Sequence, residues 1–398
     1  MRQTRPVIIF IRFTLVVLFF GTILFPAHAT SLYVFGDTLS STTDPTFSGS
    51  PLYYGQRDSN GRVWVEVLAQ RQGLTYNASK NNSYWDHNSG LLVTELNSFI
   101  APPDVANDLF IVWVCNADTF DAAQVPDNSA QWIAANIQSQ SNHLLIITKL
   151  YAKGVRTLIM PNAVDISKIP AFNAGTTLTA VEHAGCIDYN LRFSNTISQA
   201  RILYPALKIY TPDFFTLLNN ALTNAAYYGL TNALANGYSI DAISAYNYGY
   251  PHAATNGFGT NFIFWDAQDP TAKFHAVMAD VAQQIISPVQ IKLLTVLTGS
   301  NRLDLANVPV GLNGFVDGIT VTNQTPPGWT NVQGFSSTNT TQSLFVIAPQ
   351  FPAFPTNSGG GGGSIDPGNS GTNSASNSGQ TSQAQFYRLH FPYAWLWP

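Results

Sequence analysis

The chain has 398 residues, 45% hydrophobic and only 10% charged, with 18 basic and 22 acidic side chains and a formal net charge of −4. So few Lys and Arg cannot neutralise a phosphate backbone, so no nucleic-acid partner is expected, and so much apolar content excludes a disordered chain. One large domain plus a small module suits this length, because a single core stops growing at roughly 250–300 residues.

At the start, Arg2 and Arg5 precede an apolar run from Phe13 to Phe25 that ends at Pro26 and Ala27-His28-Ala29. A basic end, a short apolar stretch and small residues two apart make residues 1–29 a secretory signal peptide cut after Ala29. The run falls short of the ~20 apolar residues that span a bilayer; counted from Val7 past Arg12 it would instead be an uncleaved anchor. The expectation is a secreted or cell-envelope protein with no stable membrane span once the signal is removed. Cys115 and Cys186 permit one disulfide in an oxidising compartment without requiring it, and Cys115, ending an apolar run, also suits a buried thiol.

Residues 31–36 (SLYVFG) read as a short buried strand, followed by Leu109 to Val114, Thr157 to Met160, Leu207 to Tyr210 and Asn261 to Trp265. Continuous apolar runs of this length belong to strands buried on both faces of a parallel sheet. Helical stretches lie between and after them: Val63 to Gln72, Ala130 to Ala152, Ala180 to Tyr204, Phe214 to Ala226 and Thr271 to Ile286. This alternation predicts an α/β domain with a mostly parallel sheet over residues 30–287. Asp37, Cys115 to Asp118 and Asp266 fall at carboxyl ends of strands, where such sheets hold ligands.

Residues 288–355 change character: apolar runs such as Leu293 to Val296, Gly314 to Val321 and Ser343 to Ile347, broken by Gly, Asn and Pro, predict a β module. Residues 356–385 are a Gly/Ser/Asn linker by composition. Residues 386–398 are read as a terminal strand folding back onto the β module; the alternative is an exposed sorting or attachment tail.

Gly36-Asp37-Thr38-Leu39-Ser40 resembles the opening block of the GDSL, or SGNH, hydrolases, F-G-D-S-L-S. Tyr53-Tyr54-Gly55 with Ser59 to Glu66 looks like the family's next stretch, and Leu109 to Asp118 like its G-x-N-D strand. Pro161 to Asp165 looks like a later loop, and Phe264 to Thr271 like F-W-D-x-x-H-P-T. The resemblance covers about residues 31–287. It implies a flavodoxin-like three-layer sandwich and an ester hydrolase of the lipase, acylhydrolase or acetylesterase class, needing no cofactor. In such an enzyme a serine attacks the acyl carbon, a histidine three residues after an aspartate takes its proton, and preorganised donors hold the oxyanion.

The chain departs from that pattern where the chemistry lies. The nucleophile position is Thr38, the aspartate position Asp266 and the histidine position Asp269. In the oxyanion region Cys115 replaces glycine and Ala117 asparagine, with Asn116 one place out of phase and Asp86 the plausible counterpart in the second block. Losing a nucleophile or its base in a serine hydrolase costs on the order of 10⁶ in turnover, and an oxyanion donor about 10²–10³. Activity is therefore expected to be weak or absent.

Replacement groups could come from His87, His252, His275 or the Cys115 thiol; His87 is the best placed, and a solvated or capping role is the plainer reading. No metal is expected. The one cluster that could take a hard cation is Asp37, Asp266 and Asp269, against which Asp37 reads as a turn cap and Asp269 as a solvated helix carboxylate. Asn81 and Asn339 fit the N-glycosylation pattern. Two functions remain: a hydrolase with an altered catalytic set, or a non-catalytic pseudoenzyme whose cleft binds a small ester, lipid or glycan and whose module makes interactions. Oligomeric state is not legible.

Overall fold

Four short parallel strands carry the body: β1 (Leu32–Gly36), β2 (Leu109–Trp113), β3 (Thr157–Ile159) and β4 (Lys208–Tyr210), side by side in that order. All five residues of β2 are buried, as an inner strand covered by helices requires. The computed structural model describes residues 29–124, 129–173, 177–251, 257–297, 300–321, 328–347, 384–391 and 395–397. The signal segment, His252 and nearly all of the linker therefore lie outside the described residues.

Around the sheet, α1 (Trp64–Arg71) packs against α7 (Ala272–Ile286), and α4 (Ser129–Ala152) against α5 (Thr177–Leu203). Gly185 makes the second contact possible, because a Cβ there would sit 2.3 Å from the Trp132 ring. Two further helices, α2 (Ser89–Glu95) and α3 (Cys115–Ala123), escape sequence reading. The first is a seven-residue helix held by its Asn88 cap; the second starts directly at the end of β2 with no intervening loop. α6 (Phe214–Thr223) follows β4, capped by Asp213.

The expected strand from Asn261 to Trp265 is not one. Phe262 to Trp265 are buried, but among the described residues they join no sheet: the bridges there are isolated ones, Thr231 with Phe262 and Phe264 with Pro270. Trp265 N–H donates to Asp269 O (2.8 Å), so the chain folds back on itself instead of joining the sheet.

Beyond α7 lie two antiparallel sheets. One contains β7 (Gln290–Leu297), β8 (Ser300–Ala306) and β11 (Thr341–Ile347); the other contains β9 (Asn313–Val321), β10 (Thr330–Ser336), β12 (Ala384–Phe391) and β13 (Trp395–Trp397). Leu303, Leu305, Val316, Val346, Leu389 and Phe391 form a core separate from that of the body. Arg71 joins the two parts, exchanging backbone and side-chain hydrogen bonds with Val310 while its Nε meets Asp280 Oδ1 at 2.6 Å. No helix among the described residues is long and apolar enough to cross a membrane.

Candidate functional site

The carboxyl end of β1 turns sharply. Asp37 N–H donates to Trp113 O on the neighbouring strand, and the chain enters one 3₁₀ turn, Thr38–Ser40, whose Leu39 N–H donates to the Asp37 carboxylate (3.1 Å). Position 36 has no room for a side chain: a Cβ would sit 2.7 Å from Ser40 Cβ and 3.0 Å from Ser83 Oγ. Trp64 Nε1 donates to Ser40 Oγ, and Asn81 Nδ2 to Ser40 O. Asn81 is thus buried and committed to the turn, which removes it as a glycan acceptor in the folded protein.

Asp37 is buried at the base of the site. Burial pushes its pKa up to about 7, partly offset by hydrogen bonds from the Asn116 amide and from the Leu39 and Ala117 N–H groups. Asn116 is held at both ends, its Nδ2 donating to Asp37 Oδ2 (3.1 Å) and its Oδ1 accepting from Val164 N–H (3.1 Å). It ties β1 to the loop after β3.

Opposite Thr38 lies the loop that carries Asp266 and Asp269. Asp266 organises it, accepting from the Gln268 and Asp269 N–H groups through Oδ1 and from the Tyr53 hydroxyl through Oδ2 (2.9 Å). Asn60 Oδ1 accepts from Ala272 N–H, and Ser59 Oγ donates to Pro270 O, so the stretch before α1 clamps this loop. Asp269 is not the solvated carboxylate expected at a helix start. It is 4% exposed, its Oδ1 finds no partner among the described residues, and it lies near enough to the Thr38 side chain for that hydroxyl to favour its charged form slightly.

Burial, followed by the charges of Asp266, Asp58 and Asp37, drives the Asp269 pKa well above the usual carboxylate range. Asp58 escaped sequence reading although it immediately precedes the recognised Ser59-Asn60-Gly61 run. It is 2% exposed, neither oxygen has a hydrogen-bond partner among the described residues, and burial with Asp44, Asp266 and Asp37 nearby pushes its pKa up to about 8. A buried carboxyl without a counter-charge keeps its proton.

No imidazole among the described residues hydrogen-bonds the Thr38 side chain. His87 is buried under Tyr84, its Nδ1 3.1 Å from Gly36 O and its Nε2 3.1 Å from Glu95 Oε2, bracing β1 from behind the turn. His275 is buried in α7, where desolvation lowers its pKa to about 3 and leaves it neutral. Cys115 is buried on the Pro161 carbonyl (3.7 Å); burial, with Asp37 and Asp118 nearby, raises its pKa well above the ordinary thiol value, so it is no thiolate nucleophile. Cys186 is a second free, buried thiol, pushed up to about 12 by burial.

Above Thr38 opens a cleft of about 250 Å³, with Asp37, Ala117, Phe120, Phe172 and Gln268 on its walls. At its mouth Trp85 is 56% exposed, and Asp86, in the left-handed region at φ 61°, faces Asp121. Burial and the adjoining Asp86 carboxyl raise the Asp121 pKa to about 6, against the Asn88 amide that lowers it. The fold therefore gathers Thr38 with Asp269 and Asp266, and Asp37 with Asn116 and Ala117, while Cys115 faces the core. No three His, Cys, Asp or Glu side chains among the described residues are placed to hold a metal ion.

A sequence model of the family described as GDSL-like Lipase/Acylhydrolase matches residues 32–282. No curated protein matches the chain. Among solved structures, a lipase from a goat rumen metagenome is 10% identical, over 65% of this chain and 98% of that one, with a TM-score of 0.41. An extracellular lipase from Streptomyces rimosus is 11% identical, over 64% and 100%, with a TM-score of 0.38. A catalytic mutant of an acetylxylan esterase from Geobacillus stearothermophilus is 12% identical, over 65% and 96%, with a TM-score of 0.39.

Proposed function

Because the chain belongs to the GDSL-like lipase/acylhydrolase family, we propose that it is an exported member that keeps a cleft for a small ester, lipid or glycan, while hydrolysis through Thr38 is weak or absent. The reading rests on the proton balance at Thr38. An alcohol attacks an acyl carbon only as something accepts its proton, and the titratable side chain placed to feel this hydroxyl is Asp269. Held as a neutral acid by burial and by neighbouring carboxyls, Asp269 has no charge with which to draw that proton away. The extra methyl of threonine also restricts χ1 and crowds the approach.

Oxyanion stabilisation is reduced as well. Ala117 presents a methyl group to the cleft where the family pattern has an amide, and the amide one residue earlier is oriented by Asp37 and Val164. Missing one such donor alone costs about 10²–10³ in turnover. What persists is a walled cleft with aromatic and polar lining, the kind of concavity that binds small ligands.

The test is hydrolysis of p-nitrophenyl acetate and butyrate at neutral pH by the mature protein and by Thr38→Ala. Rates that are low and equal in the two proteins are expected. Turnover that disappears in Thr38→Ala would show the hydroxyl to be a working nucleophile and overturn the reading.

A further inference from the structure

Between α6 and α7 the chain builds a small lobe with its own core, in which Ile240, Ala242, Phe262 and Trp265 pack with Tyr53. Its tightest feature is a hairpin of β5 (Leu234–Ala235) and β6 (Tyr238–Ser239), joined by Asn236-Gly237. Both turn residues have positive φ (53° and 84°), the conformation a two-residue hairpin demands and the reason for an Asn-Gly pair. The lobe is bolted to the site, since Ala242 and Ile243 N–H donate to the Phe264 and Trp265 carbonyls just before Asp266.

On this lobe lies a second concavity of about 400 Å³, walled by Tyr238, Tyr248, Asn173, Asn236, Ser239 and Ser244. Tyr238 and Tyr248 are 42% and 53% exposed, and neither ring stacks on another aromatic among the described residues. No Lys or Arg among the described residues lines the groove. Its one carboxylate, Asp241, is buried and accepts from Ser244 N–H (2.7 Å), so its charge is turned inward. Asn173 Nδ2 donates to Ser239 O and Lys168 O, which leaves its Oδ1 as an acceptor.

Exposed aromatic faces beside amides and hydroxyls, with no facing charge, suit one ligand chemistry. An ionic ligand would find no counter-charge there, and an acyl chain would desolvate polar groups it cannot pair. A pyranose ring offers an apolar C–H face for tyrosine and hydroxyls for the amides. We propose that this groove binds a neutral glycan, with sugar rings against Tyr238 and Tyr248 and hydroxyls held by Asn173, Asn236, Ser239 and Ser244. Ala267 lines this groove and Gln268 lines the Thr38 cleft, so the bound sugar lies one loop away from Thr38.

The test is affinity electrophoresis of the mature protein through gels containing arabinoxylan, mixed-linkage β-glucan or galactomannan, with polygalacturonate as the charged comparison. Retardation by at least one neutral polymer and none by polygalacturonate is expected. Tyr238→Ala and Tyr248→Ala should each weaken binding about tenfold and Tyr248→Phe should keep it, all with unchanged thermal midpoints. Mobility unaffected by all three neutral polymers overturns the proposal. So does retardation that survives the double alanine variant, or a variant effect confined to oligomeric state on a sizing column. Thr38→Ala should leave retardation intact, so this site and the reading of Thr38 fail separately.

Discussion

Asp58→Asn should stabilise the protein, and by more as pH rises. In the folded chain the Asp58 pKa is pushed up to about 8 from an ordinary 3.8, because the carboxyl is buried, has no hydrogen-bond partner among the described residues and faces Asp44, Asp266 and Asp37. A raised carboxyl favours folding fully only below the unfolded value, and that contribution is lost as pH climbs through the folded value. Between those limits each pH unit removes about 1.4 kcal/mol, so pH 5 to pH 7 removes about 3 kcal/mol if Asp58 alone carries the proton. Neighbours that share protons reduce this to roughly 1–3 kcal/mol. Asparagine resembles the protonated acid in shape and has no proton to bind. The gap between Asp58→Asn and wild type should therefore widen by about 3–10 °C in thermal midpoint from pH 5 to pH 7, at 2–4 °C per kcal/mol for a domain of this size. Scanning fluorimetry at half-unit pH steps measures it. A midpoint difference that stays constant across the range, or an asparagine variant less stable at pH 8, would refute the protonated cluster and the reading of Asp269 with it.

Three further outcomes follow from named contacts. Thr38→Ser combined with Asp269→His should raise p-nitrophenyl acetate hydrolysis above wild type and above either single change, since nucleophile and base act as a unit; no gain would place the limit at the missing oxyanion donor. Arg71→Ala strands the buried Asp280 carboxylate and removes a hydrogen bond to Val310, so it should cost about 3–5 kcal/mol in denaturant unfolding, and calorimetry should show the β module melting apart from the body. Gly185→Val forces a side chain into the Trp132 ring between α4 and α5 and should cost about 1–3 kcal/mol, with Trp132→Phe in the same chain recovering part of it.

Much of the body is legible in the sequence because β1 and β2 are short apolar runs that alternate with longer helical stretches, the order a buried parallel sheet requires. The Asn261 to Trp265 run has that composition too, but whether an extended segment joins a sheet depends on partners, and its partners are Thr231 and Pro270 rather than a strand. The state of Asp269 is invisible for a related reason. Three residues before a helix interior, an aspartate reads as a solvated cap; only the tertiary approach of Asp58, Asp266 and Asp37 turns it into a buried acid. Asn116 looked out of phase by spacing, and the structure gives it a different duty, bracing Asp37 against the loop after β3.

On the reading we propose, that duty separates the residues that match the family pattern from those that depart from it. Asp37 caps the turn after β1 and anchors Asn116. Asp118 accepts from Ser89 N–H at the start of α2, from Ser139 on α4 and from the Tyr189 hydroxyl on α5, so it fastens three helices at once. Asp266 holds its own loop shut and takes the Tyr53 hydroxyl. Each of these unchanged aspartates has internal donors whose loss would leave buried polar groups unpaired, at about 1–3 kcal/mol apiece. The altered positions, Thr38, Ala117 and Asp269, sit on the cleft or against it and hold no comparable set of partners. Folding alone therefore maintains the first group. Only turnover would maintain the second, and on the reading we propose it is the second that departs from the family pattern.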